Sequence, residues 1–282
     1  MMTKLPAFGR LLTMALVVSL ALVLPACVAT SKPIAKPNYS ISPEVIAVVG
    51  DFGTARKQEG QVARMVASFH PSFVVTVGDN VYNKKGYKKL VRNYYPQKLV
   101  PAPGNHDYLM GIKNFDRFFA IDRRSRSYAY RASSGVDFFI LDSTAGLTSR
   151  RVRVKQRNWL VHQMHKSNAN FKVVILHHPP YSSAKHGSTK VYQWNFGKYG
   201  ADLVLSGHDH TYERVIRRGL NYIVDGTGGA PLYPCKKKLV HGSRGCFDKH
   251  YGALFLYVNA HQLRGVFRTK ISQTLDTFVI NK

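Results

Sequence analysis

Val45-Ile46-Ala47-Val48-Val49-Gly50-Asp51-Phe52-Gly53 opens the patterned part of the chain and decides how the rest is read. An apolar, β-branched run of this length predicts a buried strand, and it breaks directly into Gly-Asp, so a carboxylate stands where the strand leaves the sheet. The arrangement returns further along. Phe73-Val74-Val75-Thr76-Val77 runs into Gly78-Asp79-Asn80-Val81-Tyr82, Val174-Ile175-Leu176 ends on His177, and the apolar run 202–206 precedes Gly207-His208-Asp209-His210. A fifth motif, Gly104-Asn105-His106-Asp107, lies between them after a short strand that ends at Pro101. Strand ends are where open α/β sheets bind ligands.

Between the first two strands the spacing predicts a helix over 57–69, which makes the opening a βαβ unit. Helices follow over 85–95 and over 154–166, where Trp159, Leu160 and Met164 share one face, with a loop and helical turn reaching Ala120. Strands are expected at 127–132, 136–142, 171–176, 202–206, 211–216, 220–225, 252–258, 263–269 and 275–280. The fold class is α/β: two mixed sheets packed face to face with helices outside, a four-layer α/β/β/α arrangement. Gly226-Thr227-Gly228-Gly229 lacks GxGxxG spacing and a following helix, so it reads as a turn near the site rather than a nucleotide loop.

The polar residues of the five motifs form a consistent set of metal ligands. Asp51, Asp79 and Tyr82 supply anionic oxygen, a hard donor set suited to ferric iron, and His210 adds an imidazole. Asn105, His177 and His208 are neutral; with Asp79 shared, they suit a divalent ion such as zinc, iron or manganese. A binuclear, heterovalent centre follows. Metals about 3.5–4 Å apart can clamp the attacking and leaving oxygens of an in-line displacement, and a metal-bound water is acidic enough to be hydroxide near neutral pH. The chemistry is phosphate ester hydrolysis. His178 is the other imidazole at the fourth motif, but the step from Val174 and the nine residues to His186 favour His177. Asp107 is read as a carboxylate that accepts a proton from a metal-site imidazole, and Asp209 as solvent-facing, because a strand period of two sets it opposite His208 and His210.

The set resembles the purple acid phosphatases of the calcineurin-like metallophosphoesterase superfamily, and the chain is similar in length to their small, tartrate-resistant type. The resemblance covers most of residues 45 to 280. It implies that Asp51, Asp79, Tyr82 and His210 bind Fe(III), and that Asp79, Asn105, His177 and His208 bind the divalent ion. It also implies two catalytic histidines over the substrate, His106 and His186, the latter closing the stretch His177-His178-Pro179-Pro180-Tyr181-Ser182-Ser183-Ala184-Lys185-His186-Gly187. A charged imidazole can hold phosphate, and a protonated one can supply a departing alkoxide. The expected activity is acid hydrolysis of phosphate monoesters or anhydrides in a phosphorylated small molecule or phosphoprotein. A metallophosphodiesterase of the same fold is the alternative, although that broader group has Asp-x-His in its first motif where this chain has Gly53, and it lacks the tyrosine.

The chain has 282 residues, 45% of them apolar, enough for one sizeable core, and no repeat or internal linker interrupts it. Lys4 and Arg10 precede an almost wholly apolar stretch from Leu11 to Leu24, and residues 1–27 read as a signal peptide. Its Leu24-Pro25-Ala26-Cys27 ending resembles a bacterial lipobox, which would make Cys27 a lipid anchor; cleavage after Ala29 is the other reading. Residues 28–43 form a tether and residues 44–282 the catalytic domain. The product is then exported: periplasmic, membrane-anchored or secreted, and monomeric. Cys235 and Cys246 flank a basic loop and are placed to form a disulfide.

Forty-one Lys and Arg against fifteen acids give a formal net charge of +26. Basic residues cluster at 84–98, 113–131, 150–157 and 236–249, interleaved with aromatics. Such a field attracts anionic surfaces or polyanions, which leaves a third reading: a basic lipoprotein that adheres to polyanions and keeps the metal site only as scaffold. No helix-turn-helix or RRM signature accompanies the charge.

Overall fold

β1 (Glu44–Val49) pairs in parallel with β2 (Phe73–Thr76), and α1 (Lys57–Ser68) connects them; β2 pairs in parallel with β3 (Leu99–Pro101). This is the βαβ opening that the apolar runs predict. The structure, a computed structural model, describes residues 42–122 and 124–282; the expected signal peptide, Cys27 and nearly all of the 28–43 tether lie outside the described residues. Two further helices, α2 (Asn105–Leu109) and α3 (Ile112–Phe119), lead out of the first sheet.

The second half begins with β4 (Tyr128–Arg131) and β5 (Val136–Leu141), followed by α4 (Ser143–Thr148), α5 (Arg150–Lys166), β6 (Phe171–Leu176) and α6 (Phe196–Tyr199). Next come β7 (Leu203–Ser206), β8 (Tyr212–Arg217), β9 (Leu220–Asp225) and β10 (Ser243–Phe247). The chain closes with β11 (Gly252–Val258), β12 (Gln262–Thr269) and β13 (Thr274–Asn281). One sheet has the order β13-β12-β11-β1-β2-β3 and the other β10-β8-β9-β7-β6-β5-β4. Both are mixed: β1, β2 and β3 run parallel along one side of the first sheet, to its edge, and β5, β6, β7 and β9 run parallel at the centre of the second.

The strand period of two divides the apolar residues between layers. Ile46, Val48 and Val75 point into a core shared with Ile140, Val173, Ile175, Leu203 and Leu205 of the opposite sheet. Their neighbours Ala47, Val49 and Val74 face the other way and pack on Val62 and Val66 of α1. On the far side Phe139, Val174, Leu176 and Val204 meet Leu160 and Met164 of α5, with Trp159 partly buried against them. Each side chain fully removed from water stabilises by roughly 1.5–3 kcal/mol. The four-layer α/β/β/α sandwich is thus the expected fold.

Several elements differ from expectation. The 85–95 helix is reduced to one π-helical turn, Lys88–Arg92. Lys84, Lys85, Lys88, Lys89 and Arg92 set like charges one turn apart with no acid among them, which disfavours a longer helix, while Leu90 and Val91 still reach the core. α5 starts four residues before the apolar pattern because Ser149 caps it, its Oγ accepting the Val152 N–H. Neither α4 nor β10 was expected; β10 carries Gly245 and a register shift, so it shows no apolar alternation. Among the described residues no helix is long and apolar enough to cross a membrane.

Candidate metal centre

All five motifs fall at one end of the two sheets. β1 delivers Asp51, β2 delivers Asp79 and Tyr82, the turn after β3 delivers Asn105 and His106, β6 delivers His177, and the turn after β7 delivers His208 and His210. Backbone bonds lock these ends together: Asp51 N–H to Gly78 O at 3.1 Å, Tyr82 N–H to Gly53 O at 2.8 Å, Gly207 N–H to His177 O at 3.0 Å. Asp51, Asp79 and His208 have positive φ, of 55°, 52° and 70°. Non-glycine residues seldom adopt that conformation, and it clusters where a site dictates the backbone. Gly78, at φ 101°, has the His177 ring where a Cβ would sit, so the turn requires glycine. The turn 226–229 lies against the first motif, as expected: Gly228 N–H bonds Gly50 O at 2.9 Å and Ala230 N–H bonds Asp51 O at 2.8 Å.

The side chains converge as two groups. In the first, the Tyr82 hydroxyl lies 3.0 Å from Asp51 Oδ1, 3.1 Å from Asp79 Oδ2 and 3.0 Å from His210 Nε2. In the second, His177 Nε2 lies 3.1 Å from Asn105 Oδ1 and 3.4 Å from Asp79 Oδ1. The two oxygens of Asp79 therefore face different groups. Asp51, Asp79 and His177 are buried together, with ligand atoms within 4.8 Å of one another. His208 joins through its ring, 5.1 Å from that of His177.

Hydrogen-bond arithmetic favours a cation in each group. A phenol has one proton, yet Tyr82 faces three acceptors. His177 Nδ1–H donates to Val77 O at 2.9 Å and His210 Nδ1–H to Pro231 O at 2.7 Å, so both neutral rings turn the Nε2 lone pair toward other acceptors. Ligating histidines are held in this way, with one nitrogen bonded behind and the other free in front. Backbone N–H groups of His208 and His106 steady the carboxylates, at 3.0 Å to Asp51 Oδ2 and 2.7 Å to Asp79 Oδ1.

The charges tell the same story. Burial raises the Tyr82 phenol well above its ordinary range, and Asp51 and Asp79 raise it further, so its ionisation needs a cation beside it. Burial opposes charge on His177, but Asp79 and then Asp51 outweigh it and lift the imidazole to about 9; a metal must displace that proton. His208 is held far below its usual value by burial and by the neighbouring His177, and is therefore a neutral donor.

His106 and His186 flank the centre. The His106 ring lies 4.1 Å from that of Tyr82, and His186 is exposed, its ring 4.3 Å from that of His208. His178 stands behind: Nδ1 pairs with Ser143 Oγ at 2.9 Å, and burial lowers its pKa to about 3. Two expectations are corrected. Asp107 touches no imidazole; it accepts from Gly104 N at 2.8 Å, Asn80 Nδ2 at 2.9 Å and Tyr87 OH at 2.9 Å, because its place in the first turn of α2 aims it back at the helix start. Asp209 is not solvent-facing but fully buried. β7 ends at Ser206, so the strand period does not extend to 208–210, where the chain turns.

Sequence reasoning passed over Tyr233, whose ring stacks on His210 at 4.0 Å and 12°, and Glu213, buried and bonded to Ser183. No motif signals either one. Cys235 and Cys246 form a disulfide, with Cα atoms 6.2 Å apart. A cavity of about 810 Å³ is lined by Val81 and Asn83, the chain neighbours of Tyr82, and by Lys84, Lys85, Lys88 and Arg117.

Residues 45–212 match the family described as calcineurin-like phosphoesterase. The chain is 26% identical over 255 residues to human tartrate-resistant acid phosphatase type 5, covering 72% of this chain and 78% of that protein. It is 27% identical over 248 residues to purple acid phosphatase 4 of Arabidopsis thaliana, covering 71% of each. Among solved structures, purple acid phosphatase PPD1 from yellow lupin superposes with a TM-score of 0.71 at 18% identity, over 85% of this chain and 54% of that one. GAP50 of Plasmodium does so with 0.75 at 18%, over 85% and 89%.

Proposed function

The chain belongs to the calcineurin-like phosphoesterase family, and from that premise we propose that it is an acid phosphatase of the purple type, acting on phosphate monoesters. It is a metal-dependent phosphatase, a hydrolase of phosphoric ester bonds. The observation that carries the finer reading is Asp79, whose Oδ2 lies 3.1 Å from the Tyr82 hydroxyl that also meets Asp51 and His210, while Oδ1 lies 3.4 Å from the His177 Nε2 that also meets Asn105. A hard, anionic group and a softer, neutral one, joined by a shared carboxylate, suit Fe(III) and a divalent zinc, iron or manganese ion respectively. When bound, such a pair supplies Lewis acidity toward phosphoryl oxygens and a water of low pKa.

The protein's own residues do the remainder. Asp51, Asp79 and Tyr82 would hold the first ion with His210, and Asn105, His177 and His208 would hold the second with Asp79. His106, its side chain one-third exposed, and His186, exposed, present imidazoles that bind the phosphate or protonate the leaving oxygen. The apolar stretch 11–24, the Leu24-Pro25-Ala26-Cys27 ending and the Cys235–Cys246 disulfide support export, with Cys27 as a lipid anchor, since disulfides persist in oxidising compartments.

Metal content and visible absorption of the purified protein, followed by hydrolysis of an aryl phosphate and of an aryl phosphodiester from acid to neutral pH, test the reading. A coloured tyrosinate-to-iron band with monoester turnover is expected. A colourless protein that prefers diesters would transfer it to the metallophosphodiesterases, and a metal-free, inactive one would favour a polyanion-binding lipoprotein.

A further inference from the structure

The segment that carries His186 is held by a buried carboxylate outside the ligand set. Asp209 has no exposed surface, and both of its oxygens are taken by this one segment. Oδ1 accepts the His186 N–H at 2.8 Å; Oδ2 accepts the Gly187 N–H at 3.0 Å and the Ser182 hydroxyl at 2.6 Å. Two backbone donors and a hydroxyl satisfy a carboxylate without any cation. The His186 side chain is itself exposed, and among the described residues its ring nitrogens make no hydrogen bond; the ring leans on His208 at 4.3 Å and Tyr233 at 5.3 Å. Such a ring takes its place from its backbone, and Asp209 is what fixes that backbone.

We propose that Asp209 is a positioning residue for catalysis: by binding the His186 and Gly187 amides it sets the His186 imidazole beside the metal centre. The turn that delivers His208 and His210 to the metals thereby also delivers, between them, the anchor of a substrate-facing histidine. Ligand placement and substrate contact are then set by one turn. Glu213 does a different job on the same segment. Its carboxylate takes the Ser183 N–H and hydroxyl, each at 2.6 Å, and does not touch His186.

The inference rests on the phosphatase reading, in which His186 meets substrate, and the test compares Asp209→Asn, His186→Ala and the double variant as metal-loaded protein with an aryl phosphate. Asparagine keeps the shape but sets an NH2 group against donors. Asp209→Asn is expected to impair the same parameter as His186→Ala, by a fall in kcat or a rise in KM of about 10- to 100-fold, with metal stoichiometry and visible band unchanged. In the double variant it should add less than about twofold to the His186→Ala loss. Multiplying effects, wild-type kinetics in Asp209→Asn, or loss of metal from it would overturn the proposal. Ser182→Ala, which removes one donor only, decides the matter if Asp209→Asn does not fold: a smaller loss in the same parameter supports the role, and unchanged kinetics overturns it. A metal-loaded wild type without phosphatase activity would instead overturn the phosphatase reading, and this role with it.

Discussion

Asp79 combines a left-handed backbone, a buried carboxylate and two facing imidazoles, as the shared ligand of the proposed centre would. Asp79→Asn removes the charge that two cations would share, so metal stoichiometry is expected to fall below that of the wild type and aryl phosphate turnover to vanish; assay and metal analysis on one preparation check this. Glu59, outside the candidate ligand set, makes a separate prediction. It is fully buried in the first turn of α1, where one oxygen accepts the Thr54 and Ala55 N–H groups and the other has no partner among the described residues. Burial, only partly offset by the Ala55 and Thr54 hydrogen bonds, raises it from 4.5 to about 7. Between those values the folded chain keeps a proton that the unfolded chain releases, so this group makes stability fall as pH rises, by up to about 3 kcal/mol. Glu59→Gln should therefore gain on the wild type in thermal midpoint from pH 4.5 to 7 and hold that gain above it; a difference that is flat with pH would refute the assignment. The candidate ligands were legible because all but Asn105 belong to motifs that begin where an apolar strand runs out. Asp209 and Glu213 were not, because nothing in a sequence marks a carboxylate whose partners are donors distant along the chain; Glu59 bonds amides only four and five residues before it, yet an acid in the first turn of a helix is ordinarily exposed, so its burial was not legible either.

At the scale of elements, the His186 segment is held from outside as well as from below. The disulfide-closed loop lies on it: Lys236 N–H bonds Ser183 O at 2.8 Å, Val240 N–H bonds Ser183 Oγ at 2.8 Å, and Ser243 Oγ donates to Glu213 at 2.7 Å. β10, at the end of that loop, pairs with β8, the strand that bears Glu213. Replacing both Cys235 and Cys246 by Ser removes a loop constraint of about 3 kcal/mol in the chain-entropy view, so the thermal midpoint should drop. Turnover should fall several-fold with metal content intact, because the loosened loop buttresses a substrate-facing segment rather than a ligand. Unchanged turnover at full folding would show that the two carboxylates suffice. The strands forming the sandwich core were legible from their uninterrupted apolar runs, and α1 and α5 from their spacing. β10 was not, since an edge strand carrying Gly245, stapled by a disulfide, needs no apolar alternation. The 85–95 segment misled for the opposite reason: buried positions at helical spacing were present, but the like charges between them leave only a single turn.

Across the whole molecule the imbalance of 41 basic against 15 acidic residues acts on whatever approaches the site. Four of the cations, Lys84, Lys85, Lys88 and Arg117, line the cavity that Val81 and Asn83 border, and among the described residues none of their side chains is paired with a carboxylate. A field of this kind raises the local concentration of a phosphate dianion without altering the reaction once it is bound, so it belongs in kcat/KM rather than in kcat. It is also screened, with a Debye length of about 10 Å at 0.1 M salt and about 30 Å at 0.01 M. Raising sodium chloride across that range should lower kcat/KM for a dianionic aryl phosphate by roughly threefold or more and leave kcat nearly unchanged. Lys84→Glu, Lys85→Glu and Lys88→Glu together should produce a similar loss at low salt and flatten the salt dependence. Arg264→Glu supplies the control. Its strand register pairs it with Tyr257, and Tyr257 with Val45, at the end of β1 opposite Asp51. Three reversals change the net charge by six and one by two, so a loss in log kcat/KM from Arg264→Glu about one third of that in the lysine variant would assign the effect to net charge alone, whereas a loss confined to the lysine variant would locate it at the cavity those lysines line.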